Sequence, residues 1–547
     1  MTPLRIYLGT GLIAWTTLAF QVVLTRLFSA IVPYHFTFLA VSLAMLGTGA
    51  GALVVYTRPA WRKRDIDDHV LAALCFMLAL ALLAVTPVLS RLDFGFNEFD
   101  RAFFVQLTAA VGIAAVPSLL AGIVVALVIH RHVAVIGRLY AFDLAGASLG
   151  ALSVVPLLNA IAAPRLLIVL ASVAVLGGLL FGWERAPTRR LALAALAACA
   201  GTFAISPRTA LFDLPHGYQL RPSTVVHAVE WNALARVYGF SWPESDTLAA
   251  VFYDRVYAPV PIVDEENLPN WQSLGTGPQS IGYELVEPGA ALIIGGGGGR
   301  DIYTALSSRM LRVDVIELNP AIRRIVDGPL GDLSKRPYSR ERVSTTIGDG
   351  RSVLASRSDR YQEIHIGFTD TLTANAAQGF ALVENSLYTK EAFHLYFDHL
   401  APGGILNVSR PMFLVGEEAL RIAILTLSVL EERGIEKPLD HVIVIKGRDI
   451  LEGYNGTTLA RLTPFSEAET RRVEALARER GEGVVLGRNG GTEEPWRSLA
   501  KAPSLRAFWE TYPLDVSPSS DDRPFFFSMR RLGVPPPPRD TAAYAID

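Results

Sequence analysis

The chain has 547 residues, 51% of them hydrophobic, and a formal net charge of −2. That length exceeds what one hydrophobic core holds, so two or more domains are expected. The near-zero charge offers no basic field for nucleic acid. The two cysteines, Cys75 and Cys199, both lie in apolar runs, which excludes a disulfide framework or a cysteine zinc site.

The apolar residues gather in the first part of the chain. Residues 6–31, 34–57, 69–90, 104–130, 141–163 and 165–183 are long and mostly apolar. Each can cross about 30 Å of hydrocarbon at about 1.5 Å per residue. A seventh run, Leu191–Ile205, is only 15 residues of mainly Ala and Leu. It reads as a span or as a helix lying at the interface. The first run is too long for a signal-peptide core, and more spans follow it, so it reads as a retained helix. A buried soluble bundle would show polar helix faces, and these runs do not. Residues 1–207 are therefore expected to form a multi-pass domain of six or seven helices in a cell membrane, with the lipid bilayer as partner.

Gly47 and Gly51 lie four apart, as do Gly146 and Gly150. That spacing lets helix backbones approach closely in lipid. Arg26 lies in the first run and Asp143 at the start of the fifth; they can pair, or each can reach the interface. No chain of acids crosses the runs, against an ion-coupled transporter. Basic residues collect at Arg58, Arg62, Lys63 and Arg64, at Arg131 and Arg138, and at Arg185, Arg189 and Arg190. The positive-inside rule puts these loops and the N-terminus in the cytoplasm. Seven crossings would then carry the rest of the chain to the far side. Six would leave it in the cytoplasm, and the sequence reading favours that outcome with Leu191–Ile205 at the interface.

After Pro207 the composition becomes that of a globular protein. Residues 208–285 are expected to form a small β-rich subdomain, because "STVVHAVEWNALARVYGF" and "TLAAVFYDRVYAPVPIV" alternate and favour β-formers. From 286 to 534 strands and helices alternate. "ALIIG", "RVDVIEL", "VSTTIGD", "YQEIHIGFTD" and "GGILNVSR" read as strands; "DIYTALSSRM", "AIRRIVDG", "GRSVLAS" and "SLYTKEAFHLYFDHL" read as helices. That order predicts a doubly wound, Rossmann-like α/β sheet. "HVIVIKG" and "TTLARLT" read as final strands, 465–480 as a charged helix, and the Pro-rich tail 535–547 as disordered.

Between the first strand and helix stands "GGGGG", Gly295–Gly299. Bare backbone at Gly295, Gly296, Gly297 and Gly299 lets a ligand approach the N–H groups of a helix start. Glu317 ends the next strand, where a carboxylate can accept from both hydroxyls of a ribose. Asp349 and Gly350, in "IGDGR", end the third strand, where Asp349 can accept from the exocyclic amine of adenine. Glycines, then Glu, then Gly-Asp-Gly is the order of an S-adenosylmethionine-type site. Nicotinamide enzymes share the first two elements. The plain alternative is a turn with an incidental Glu.

"ALIIGGGGGRD", "VDVIELNP", "TTIGDGR", "FTDT" and "SLYTKEAFHLYFDHLAPGGILNVS" together resemble the spermidine synthase (polyamine aminopropyltransferase) family, over roughly residues 222–410. The preceding spans and "DDRPFFF", 521–527, resemble its membrane-integrated, multi-span branch. The resemblance implies a methyltransferase-type Rossmann fold behind a small β domain. It implies S-adenosylmethionine or decarboxylated S-adenosylmethionine as co-substrate, no metal, and transfer of an aminopropyl or methyl group to an amine. The acceptor would be a small molecule or membrane-associated; a homo-oligomer is compatible with this.

Three places depart from the family. An acid in its glycine loop is Gly298 here. The first of two acids after the fourth strand is Gly367, with Asp370 kept. Its Tyr-His-Glu reads "GYE", leaving Tyr283 and Glu284. An amine has an ordinary pKa of about 10 and must be neutral to attack, so a proton acceptor is needed. Asp370, Glu384 and Tyr388 are the candidates for catalytic roles, with Asp254 as a further acid. A non-catalytic adenosyl-ligand sensor coupled to the membrane domain is the competing function, and a transporter regulated by such a domain is a third.

Overall fold

The structure is a computed structural model. It describes residues 3–32, 36–58, 61, 67–94, 100–214, 222–245, 248–254, 256–263, 277–369, 384–412, 417–448, 454–531 and 533–534. The expected disordered tail, 535–547, lies outside them. The chain forms two compact units. One takes residues 1–223, 229–237 and 252–255; the other takes 224–228, 238–251 and 256–547. Residues 208–285 thus contribute to both.

The first unit contains seven long helices: α1 (Pro3–Ile31), α2 (Leu39–Thr57), α3 (Asp68–Leu89), α4 (Arg101–Arg131), α5 (Ile136–Ala160), α6 (Ala163–Phe181) and α7 (Ala186–Ile205). All seven are long and apolar enough to cross a membrane. Helix α7 is longer than its apolar run. It has 20 residues, with Pro187 in its first turn. Proline is tolerated there because the missing N–H would have had no helical partner.

The glycine pairs sit where helices touch. A Cβ on Gly146 of α5 would lie 2.0 Å from the carbonyl oxygen of Gly11 in α1, and one on Gly150 would lie 2.8 Å from that of Trp15. A Cβ on Gly51 of α2 would lie 2.4 Å from the Leu119 oxygen of α4. The backbones are in contact, which only hydrogen at Cα permits. Arg26 does not pair with Asp143. Its guanidinium binds the Asp254 carboxylate and the Leu234 carbonyl. Asp254 occupies a left-handed turn, at φ 53°, and also accepts from the Arg236 N–H at 2.9 Å. It is therefore a turn and anchor residue of this unit.

The β-rich segment forms a four-stranded sheet of β1 (Val225–Trp231), β2 (Arg236–Ser241), β3 (Leu248–Tyr253) and β4 (Val256–Pro261), in sequence order. A nine-stranded sheet follows: β5 (Ala290–Ile294), β6 (Arg312–Glu317), β7 (Val343–Ile347), β8 (Tyr361–Ile366), β9 (Leu400–Pro411), β10 (Val442–Arg448), β11 (Tyr454–Ala460), β12 (Gly483–Gly487) and β13 (Gly490–Gly491). Its order is β13-β12-β10-β11-β9-β8-β5-β6-β7. Strands β5 to β9 run parallel, and β11 lies antiparallel to both neighbours. The chain enters at β5, builds outward to β7, and returns to build the other way from β8. The switch point lies between β5 and β8, and ligands of such sheets bind at the strands' carboxyl ends there. The protein is thus a membrane-type helical bundle joined to a Rossmann-like domain of the methyltransferase type.

Several elements differ from the sequence reading. The helix Glu417–Glu432 was not foreseen, because Ala419 to Leu430 is almost wholly buried and shows little polar face. Strands β12 and β13 extend the sheet beyond the expected final pair. The helix expected over "SLYTKEAFHLYFDHL" covers only Lys390–Asp398, since Thr389 caps it by accepting from the Ala392 N–H at 3.2 Å.

Gly146→Leu should lower detergent-solubilised thermal stability by about 1–3 kcal/mol, the cost of overpacking. Gly49→Leu, where an added Cβ meets nothing within 4 Å, is the control. Equal melting of the two variants would refute the α1–α5 contact.

Candidate functional site

Strand β5 ends at Ile294 and its glycines turn the chain into helix α8 (Arg300–Ser307). Gly295, Gly297 and Gly299 have φ of 83°, 49° and 92°. Side chains rarely adopt that left-handed region, so glycine is required there. The Tyr338 hydroxyl donates to the Gly297 carbonyl at 2.6 Å. Burial, with Glu317 nearby, holds that hydroxyl well above its ordinary pKa and keeps it a neutral donor.

Glu317 closes the loop from the other side. It is 4% exposed at the end of β6. One carboxylate oxygen accepts from the Gly297 N–H at 3.1 Å, and the other from the Asn319 N–H at 3.0 Å. These two contacts fix the carboxylate's orientation. Asp349 caps helix α9 (Gly350–Ala355), accepting from the Ser352 N–H at 2.8 Å. A Cβ on Gly350 would lie 2.5 Å from the Ile294 side chain, so this glycine brings the helix start against β5. All seven expected cofactor-binding residues, Gly295, Gly296, Gly297, Gly299, Glu317, Asp349 and Gly350, thus stand at the carboxyl ends of three adjacent strands, β5, β6 and β7.

The expected catalytic residues are less gathered. Asp370 lies outside the described residues. Glu384 is exposed. Tyr388 is fully buried, its hydroxyl 2.7 Å from the Thr369 hydroxyl and 3.0 Å from Arg410 Nη1. Arg410 also donates to the Thr369 carbonyl at 2.7 Å and, through Nε, to buried Glu418 at 3.0 Å. Tyr388 and Arg410 therefore hold residue 369 from behind. The "DDRPFFF" segment supports them: the Tyr388 and Phe526 rings lie 4.8 Å apart, and Asp521 takes Arg351 in a two-pronged pair at 2.6 and 2.7 Å.

A polar cluster under β8 escaped the sequence reading. Glu363, His365 and Gly367 alternate, so they share one face of the strand. Asn407 donates to Glu363 at 2.7 Å and to the Gln279 carbonyl at 2.7 Å. Tyr283 stacks on His365 with ring centroids 6.4 Å apart, whereas Glu284 turns outward to Arg472 at 3.4 Å. Burial pushes the Glu363 carboxyl well above its ordinary pKa, against the lowering hydrogen bond from Asn407. Asp301, in the first turn of α8, brings Oδ2 to 3.4 Å from His365 Nε2. A Cβ on Gly367 would lie 2.5 Å from that same oxygen. The one available sequence signal was a Glu-x-His pattern in a parallel strand that should be apolar on both faces.

The two missing acids now have a steric reason. A Cβ on Gly298 would sit 1.9 Å from the Pro259 carbonyl oxygen of β4, and Asp301 fills the space beside Gly367. Gly298→Asp should therefore destabilise the protein by about 1–3 kcal/mol rather than restore an acid to the loop. Gly298→Ala should melt early for the same reason. An unchanged thermal midpoint in Gly298→Ala would contradict this packing.

No protein-family model matches the chain. A polyamine aminopropyltransferase of Korarchaeum cryptofilum is 27% identical over 122 residues, which are 22% of this chain and 35% of that protein. One of Sulfolobus acidocaldarius is 24% identical over 132 residues, 24% of this chain and 41% of that protein. The chain thus matches less than half the length of these curated relatives. Among solved structures, a probable spermidine synthase of Corynebacterium glutamicum aligns over 52% of this chain and 95% of its own, with 18% identity and a TM-score of 0.35. Part of this chain is accordingly similar in sequence to polyamine aminopropyltransferases.

Proposed function

We propose that this protein is an integral-membrane transferase with a spermidine-synthase-like domain. Its co-substrate is S-adenosylmethionine or the decarboxylated form, and it moves an aminopropyl or methyl group to an amine-type acceptor, small or membrane-associated. The observation that carries this reading is the buried Glu317 carboxylate fixed against the Gly297 N–H, on the strand next to the sheet's switch point. A fixed carboxylate there suits a ribose, and Asp349 at the next strand end suits an adenine amine. The partial likeness to polyamine aminopropyltransferases supports the sulfonium chemistry. Asp370, from its place in the sequence, remains an acceptor-side acid in this reading. A second reading, an adenosyl-ligand sensor, is favoured by Gly298 and Gly367 standing where acids would otherwise be.

Purified protein incubated with both labelled donors and a mixed amine pool separates these readings: labelled product supports the transferase, and binding without turnover supports the sensor. Glu317→Ala removes a charge-assisted acceptor worth about 1.5–3 kcal/mol. Adenosyl-ligand affinity should fall about 10- to 150-fold. Unchanged calorimetric affinity for S-adenosylmethionine and its thioether product would defeat the assignment.

The side of the membrane is tested separately. Seven crossings with cytoplasmic basic loops would carry the domain outside, yet its donor is made inside the cell. A transferase must meet its donor, so the reading requires a cytoplasmic domain. A fluorescent-protein fusion after Asp547 should be active and an alkaline phosphatase fusion inactive. The reverse result would remove the donor supply and the function with it.

A further inference from the structure

We propose that the Asp301 carboxylate, backed by His365, is the group that receives the acceptor's amine and takes its proton. This rests on the transferase reading above. Asp301 lies two residues beyond the glycine loop, on the first turn of α8. Its Oδ2 stands beside Gly367, at the carboxyl end of β8, where the sheet order reverses against β5. A carboxylate there borders the crevice that would hold the donor's reactive sulfonium. Its side chain is 19% exposed, so the group is reachable from outside.

The second observation lies behind it. His365 is 1% exposed, and neither ring nitrogen makes a hydrogen bond among the described residues. Buried polar groups are rarely left so without a functional reason. Here Nε2 faces Asp301 at 3.4 Å and Nδ1 faces Glu363 at 4.0 Å. The first distance is long for a good hydrogen bond. One ring thus stands between an outer carboxyl and an inner one. Arg300, Tyr338, Tyr283 and Glu363 are the other charged or titratable groups acting on this pair. Burial pushes the Asp301 carboxyl up, but His365 and Arg300 outweigh it and hold it below its ordinary range. Asp301 is therefore ionised at neutral pH, able to bind an ammonium and accept from it.

The chemistry balances. An acceptor arriving as an ammonium passes one proton to Asp301 and becomes a neutral amine. Its nitrogen lone pair forms a bond to the donor carbon as the carbon–sulfur bond breaks. That electron pair returns to sulfur, giving a neutral thioether, and the nitrogen carries the positive charge. Asp301 then releases its proton to solvent.

Asp301→Asn should lower kcat about 100- to 1,000-fold. Adenosyl-ligand affinity should stay within about twofold, which also shows that the variant is folded. Asp301→Glu should recover part of the rate. His365 acts through Asp301, so His365→Gln is read by its pH profile. His365 is the main influence that lowers the Asp301 carboxyl, so without it that pKa rises and the acid limb of kcat moves to higher pH. Turnover by Asp301→Asn within about threefold of wild type would overturn the inference. If the wild-type protein turns over neither donor, the transferase reading falls, and calorimetry with putrescine decides the amine site alone. Diamine affinity lost in Asp301→Asn and kept in Asp301→Glu supports it; equal affinity, or none, in wild type and Asp301→Asn overturns it.

Discussion

The site depends on one carboxylate that is buried and pinned. Glu317 is held by two backbone N–H groups, one from the glycine loop and one from its own strand's continuation. Burying an ion is expensive unless hydrogen bonds compensate. Both contacts supply that, and in return they fix the loop's position relative to β6. The loop can take that position only because Gly295, Gly297 and Gly299 accept left-handed backbone and because Gly298 presents no side chain to Pro259. Loop conformation, carboxylate position and the approach of β4 are thus one constraint. A change to any of them moves the others.

The same reasoning joins the two places where acids are absent. Gly298 and Gly367 look like independent losses when read along the chain. In space they are two consequences of close packing around α8. The Pro259 carbonyl takes the room at one, and the Asp301 carboxylate takes it at the other. The second loss is therefore not a plain deletion of charge from the crevice. An acid on helix α8 stands where an acid on β8 would begin.

Much of the fold was legible because strong periodicity carries it. The seven apolar runs, the strand-helix alternation from residue 290 and the glycine turn each follow from local pattern. The strand-end positions of the candidate site were legible for the same reason, since the crossovers fix where such glycines and acids fall. What stayed hidden needed partners far away in sequence. Arg26 meets Asp254 across 228 positions, and nothing near either residue announces it. The helix Glu417–Glu432 hid because burial on most sides removes the amphipathic pattern that reveals a helix. Tyr388 has an ordinary sequence context, yet it is fully buried under Phe526 and Phe527.

The cluster under β8 shows where such reading stops. A strand in the middle of a parallel sheet is covered on both faces, so its sequence should be apolar throughout. Glu363 and His365 break that rule, and the break is visible in the sequence. Its meaning is not, because Tyr283, Asp301 and Asn407 come from three other segments. Only their convergence puts the histidine between one carboxyl whose pKa is lowered and one whose pKa is raised. The two carboxyls shift in opposite directions: burial raises Glu363 against the Asn407 hydrogen bond, while at Asp301 His365 and Arg300 outweigh burial. On this face the inner acid therefore holds its proton more tightly than the outer one.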